Sequence, residues 1–270
     1  GHVTGVQTCA LPISRWLTGT NHPLTARVLV NHVWTRHFGA SFVPDASDFG
    51  VRCPPPLHQD LLDSLAVDFM EHGWSLKRLH RQLVLSRLFR TRSSNAGADA
   101  ATLEADPDNT CYWRMNPRRL ESQAVRDALL FVAGRLDLTQ GGPSVDSKND
   151  ASTRRALYFV QTPDLENRFL GVFDNANVLD CYRRQESIVP QQALALANSK
   201  LSRECSESLA ARLAALDETA FIQESFLTTL GRRASAAEIR ACTDGLARLA
   251  HTAGGGSEPK RARALFLQSL

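Results

Sequence analysis

Apolar residues recur at helical spacing through most of this chain. Between Asn21 and Gly39, the residues Leu24, Val28, Val30, Val33, Trp34 and Phe38 predict a helix that is apolar on most sides. Asn21 is its expected cap, Pro23 lies in its first turn and Gly39 stops it. Leu61, Leu62, Leu65, Ala66 and Phe69 predict a second helix over about 59–71. Ser75 caps a third, with Leu76, Leu79, Leu83, Leu85 and Phe89 as its core side and Trp74 placed to staple onto Leu79. Asn116 and Pro117 open a fourth that runs to about Gly134, with Leu120, Ala124, Ala128 and Phe131 as its apolar face. Pro190 starts another, with a companion to about Leu216. Ser235 and Glu238 form a capping box for the next, and a final helix reaches Leu270.

The strand signal is concentrated in "RRALYFVQ", residues 154–161, where Leu157, Tyr158, Phe159 and Val160 are consecutive. A lone strand is not stable, so an extended partner is implied. Prolines 54–56 and the small polar stretches 91–105 and 141–153 read as connections. The predicted fold class is mainly α, a multi-helix orthogonal bundle with a small extended or β element near 154–161. The predicted division is an N-terminal helical subdomain, 15–140, and a C-terminal one, 141–270.

The first fourteen residues, "GHVTGVQTCALPIS", fit neither a targeting signal nor a strand. They contain no Lys or Arg, and Gly5, Gln7 and Thr8 interrupt the apolar residues. Residues 3–13 match the translation of a common short-read sequencing adapter. They are therefore expected to be foreign sequence on a metagenomic fragment, lying outside the core, with the native chain starting near Arg15. The last helix has no cap, so the C-terminus is expected to be cut as well.

Composition narrows the function classes. The 270 residues are 43% hydrophobic and 22% charged, ordinary for a globular chain. Lys and Arg number 31 against 28 Asp and Glu, a balance that argues against a dedicated nucleic-acid binder. No apolar run is long enough to span a bilayer. The six cysteines are scattered and never form C-x-x-C, which excludes a zinc ribbon and points to free thiols.

Candidate chemistry is sparse. His32 and His37 are five apart, about 140° around a helix, so they do not converge on a metal. There is no nucleophile elbow and no phosphate-cradling glycine loop. The richest charged group surrounds Arg118, Arg119, Glu121, Arg126 and Asp127. Arginine there suits a carboxylate, sulfate or phosphate, and equally an ion-pair network between helices. Arg119 and Arg126, seven apart, are expected to share one helix face. The candidate polar cluster is His58, Arg119, Arg126, Asp127 and Arg184. Asn31, His37 and Cys181 are secondary candidates, the last as half of a Cys–His pair. "DPDN", 106–109, reads as an Asx-capped turn and not as a calcium loop.

Several long strings, in order, resemble one family. They include "WLTGTNHPLTARVLVNHVWTRHFG", "DFGVRCPPPLHQDLLDSLAVDFMEHGWSLKRLHRQLVLS", "DPDNTCYWRMNPRRLESQAVRDALL", "GGPSV" and "VPQQALALANS". The family is the planctomycete-associated domain of unknown function fifteen-fifty-three. The chain departs from it at His32, where the family usually has Arg, and at Gln59 and Ser64. Cys181 and Arg184 keep its C-x-x-R pattern. The resemblance implies a domain near the C-terminus of a large exported protein, with further uncharacterised modules upstream. A cytochrome-c-like haem module is often among them, so haem is expected there and no cofactor in this stretch.

Three functional expectations follow. The first is an accessory or scaffold module of an exported multidomain protein, linked to glycan processing or to a haem domain, whose partners are the upstream domains and a glycan. The second is a hydrolase or lyase acting on anionic polysaccharide through an Arg/Asp/His cleft. The third is nucleic-acid binding.

Overall fold

The computed structural model describes residues 4–45, 48–50, 53–179, 187–253 and 258–270. Helix accounts for more than half of the described residues, in twelve α-helices. They contain no strand or sheet, only isolated backbone bridges. The chain forms two compact units, Gly1–Arg118 and Arg119–Leu270.

The first unit contains α1 (Thr4–Leu17), α2 (Thr25–Phe38), α3 (Gln59–Glu71), α4 (Leu76–Val84) and α5 (Ala100–Ala105). Helix α1 turns Leu11, Ile13 and Trp16 outward, each more than half exposed. The core is built by α2, α3 and α4, which pack pairwise. Val30, Trp34 and Phe38 meet Leu62, Leu65 and Phe69, with Leu79 and Leu83 closing the cluster. The Trp34 indole N–H donates to the Tyr112 hydroxyl at 3.0 Å, which donates in turn to the Ala40 carbonyl.

Three local expectations change here. Asn21 does not cap α2: the cap position is Leu24, which makes no side-chain bond, and His22 just before it accepts from the Thr25 amide through Nδ1 at 3.1 Å. The third helix ends at Val84, and a separate 3-10 turn, Leu88–Arg90, follows. The stretch read as a plain loop contains α5, started by the Asp99 carboxylate accepting from the Thr102 amide at 2.6 Å. Asp106 does form the expected Asx-capped turn, accepting from the amides of Thr110 and Cys111. Gly39 ends α2 at φ 77°, as the sequence predicts.

The second unit contains α6 (Ser122–Val132), α7 (Arg168–Val172), α8 (Pro190–Asn198), α9 (Lys200–Arg212), α10 (Glu218–Leu230), α11 (Ala236–Ala253) and α12 (Glu258–Ser269). Helix α12 packs on α9 and α11, and α10 packs on α11. Leu209, Phe221, Ile222, Phe226, Leu246 and Phe266 form the main core. Helix α10, absent from the predicted elements, supplies three of these residues. The Ser235–Glu238 capping box forms as predicted.

Helix α6 departs furthest from its prediction. It begins at Ser122, because Asn116 donates instead to the Phe38 carbonyl at 3.0 Å and does not cap it. Arg119 therefore precedes the helix and shares no helical face with Arg126. Leu120 and Phe131, expected inside, are 65% and 66% exposed. The buried face is Ser122, Arg126 and Leu130. The expected strand at 154–161 is a 3-10 turn, Ala156–Tyr158, flanked by isolated bridges from Arg154 to Asp137 and from Phe159 to Val145. The extended partner is reduced to two single positions: Asp137, whose amide donates to the Thr153 carbonyl, and Val145, which exchanges backbone hydrogen bonds with Tyr158 and Val160.

Candidate functional site

The missing strand has its cause in two side chains of α6. Arg126 is 1% exposed. Its guanidinium donates to the Arg154 carbonyl at 2.8 Å and to the Ser152 carbonyl, and it lies 4.7 Å over the Phe159 ring. Burial lowers its pKa, while the Asp127 and Asp150 carboxylates raise it. Asp127 accepts from the Ala156 amide at 2.7 Å and from the Arg155 guanidinium at 3.4 Å. The two neighbouring side chains thus bind the backbone of 152–156 that a strand partner would otherwise satisfy.

Arg119 works locally in the same way. It donates to the Ser187 carbonyl and to Gln192 Oε1 at 2.8 Å. Gln192 donates to the Val172 carbonyl and to Asp174, tying the end of α7 to the start of α8. Burial pushes the Asp174 carboxyl up, but hydrogen bonds from Ser187 and Gln192 and the charge of Arg119 outweigh it, and the net shift is downward.

The candidates of the first unit also serve their own surroundings. His58 precedes α3 and donates to the Thr110 carbonyl at 2.9 Å. Asn31, fully buried, accepts from the amides of Phe42 and Val43 and donates to the Val43 carbonyl, anchoring the chain after α2. His37 donates to the Val33 carbonyl through Nδ1, and His80 donates to its Nε2 at 3.2 Å. Arg184 and Cys181 lie outside the described residues. The described cysteines Cys53, Cys111, Cys205 and Cys242 are free thiols, and burial pushes the Cys205 thiol up.

A pocket of about 530 Å³ opens in the second unit. Four elements and one loop line it. Arg126 comes from α6, Arg168, Phe169 and Val172 from α7, Gln191, Leu194, Ala195 and Asn198 from α8, and Ser199 to Leu201 from the start of α9. Asp150 comes from the loop and accepts from the Asn167 amide group at 2.9 Å. Arg168 and Lys200 are exposed at the rim, while Phe169, Val172 and Leu201 are half-buried. Lys200 stands 3.7 Å from Glu204, whose carboxylate is engaged more closely by Arg135 at 3.0 Å. That contact holds the Glu204 carboxyl below its ordinary value. Ser199 caps α9, accepting from the Ser202 amide at 3.1 Å, and the positive end of that helix faces the same region.

Of this lining, the sequence singles out Arg126 alone. Arg168 was missed because α7 is only five residues long and leaves no periodic signal. Lys200 was legible in part. "ANSK" carries a serine cap that breaks the expected helix pair at Ser199. Among the described residues no three His, Cys, Asp or Glu side chains gather as a metal would need. No helix of the described residues is long and apolar enough to cross a membrane.

The family described as PSD1, protein of unknown function (DUF1553), matches residues 11–246. No curated protein and no solved structure matches the chain.

Proposed function

This chain belongs to the PSD1 family of proteins of unknown function (DUF1553), and from that premise we propose that it is a helical binding module for an acidic glycan. The observation that carries the reading is the pocket of the second unit, where Arg168 and Lys200 edge an apolar lining of Phe169, Val172 and Leu201. A volume of about 530 Å³ suits a small ligand. A sugar ring offers an apolar face to such a lining and polar groups at its edge. A carboxylate or sulfate on that ring meets the two cations and the start of α9. The role is accessory, holding substrate for other modules of a larger exported protein.

An enzymatic reading draws less support from the same residues. Glycoside hydrolysis ordinarily uses two carboxylates. Among the described residues Asp150 is the one carboxylate in this lining, and no histidine accompanies it there. Asp127 is committed to the Ala156 amide and Arg155.

The test is calorimetric titration of the chain with uronate-containing and sulfated oligosaccharides, and with their neutral counterparts. Binding is expected for the acidic sugars only, weakening as salt rises. The double variant Arg168→Ala, Lys200→Ala should lower affinity at least tenfold. Equal binding of neutral sugars, an unaffected double variant, or no binding to any member of the panel contradicts the reading.

A further inference from the structure

The first unit separates its charges along the chain. No carboxylate lies between Glu71 and Asp99, and six cations do: Lys77, Arg78, Arg81, Arg87, Arg90 and Arg92. All six are exposed. Arg78 pairs with Asp68 at 3.1 Å. Lys77, Arg81, Arg87 and Arg90 have no carboxylate at ion-pair distance among the described residues.

The local fold exposes these cations along α4, the turn after it and the residues that follow. Leu79 and Leu83, 2% and 3% exposed, hold the inner side of α4 in the core. Lys77 and Arg81 are four apart on its outer side. Leu85 follows Arg81 by four residues and Arg78 by seven, so it lies among the cations, and it is 63% exposed. Leu76 at the start of α4 and Phe89 in the following turn are 45% and 37% exposed.

Cations alone would serve any polyanion. Exposed leucine and phenylalanine between them add nothing on a phosphate or sulfate backbone. The Phe89 ring, moreover, is engaged edge-on with Phe38 at 6.2 Å and is not a free stacking platform for a base. At a lipid surface both kinds of residue contribute. Arginine and lysine meet anionic headgroups, and the exposed Leu85 side chain enters the boundary with the acyl chains. We infer that α4 and the turn after it form a docking surface for an anionic lipid bilayer, by surface contact and without a span. This surface is independent of the pocket in the second unit.

Co-sedimentation of the full chain with vesicles tests the inference. Vesicles of phosphatidylcholine with about one-third phosphatidylserine are compared with phosphatidylcholine alone. Binding is expected only to the mixed vesicles. Arg81→Gln and Arg87→Gln should each lower it about fivefold. Leu85→Ser should lower it about threefold or more, while leaving any binding of heparin or duplex DNA unchanged. All three sites are exposed, and circular dichroism verifies that each variant folds. No preference for the mixed vesicles overturns the inference. So does unchanged vesicle binding by Leu85→Ser, or tighter binding of heparin or DNA than of vesicles, which would assign the surface to a soluble polyanion.

Discussion

Arg126 shows how one buried charge can shape a whole segment. Its guanidinium is desolvated, but the carbonyls of Ser152 and Arg154 and the Phe159 ring replace water. Truncation would leave those carbonyls unpaired in a dry site and open a cavity. Arg126→Ala is therefore expected to cost roughly 3–5 kcal/mol, read as a lower urea midpoint. A loss below about 1 kcal/mol would mean that the segment 152–156 is held by other contacts. Glu238 illustrates the opposite case, a half-buried surface group in a dense local network. It accepts from Arg232 at 2.7 Å and from the Ser235 amide and hydroxyl at 2.8 Å, and its pKa falls from 4.5 to about 2. A depressed carboxyl stabilises the fold above its unfolded pKa and loses that contribution as pH falls through the folded value. Thermal stability should thus drop between pH 4.5 and about 2 more steeply in the natural chain than in Glu238→Gln. Identical acid limbs for the two proteins would contradict the network.

At the scale of elements, α6 separates pattern from packing. An apolar-face argument points to Leu120 and Phe131, yet the helix buries Ser122, Arg126 and Leu130. Leu130→Ala is accordingly expected to cost about 2–4 kcal/mol, and Phe131→Ala less than about 0.5 kcal/mol, both by chemical denaturation. The reverse order would restore the face read from the sequence. What was legible had local causes. The helix starting at Pro190, the Gly39 stop, the Ser75 cap and the Ser235 capping box each depend on residues within a few positions of one another. What was not legible depended on distant partners. The strand signal at 154–161 was real in composition, but Arg126 and Asp127, about thirty residues away, claim its backbone. Helix α10 escaped notice although Asp217 caps it and Gly231 ends it at φ 68°. Its apolar periodicity is weak because Leu227 and Leu230 lie exposed, outside the side that buries Phe221, Ile222 and Phe226.

For the whole molecule, the mainly helical class is legible in the sequence and the pocket of the second unit is not. The pocket of the second unit collects Arg126, Asp150, Arg168 and Lys200 from positions that no spacing connects. Of the charged cluster expected from sequence, Arg119, Arg126 and Asp127 each bind nearby backbone or amide groups. The net charge of +3 likewise conceals the cationic stretch between Glu71 and Asp99, because carboxylates elsewhere offset it. The proposed function places an acidic sugar in the second unit between Arg168, Lys200 and the start of α9. Backbone amide NMR of the chain titrated with a uronate oligosaccharide tests it most directly. Saturable shifts should concentrate at Arg168, Phe169, Asn198, Ser199 and Lys200, and should vanish in Arg168→Ala, Lys200→Ala. Shifts confined to other residues, or none at saturating sugar, would contradict the account.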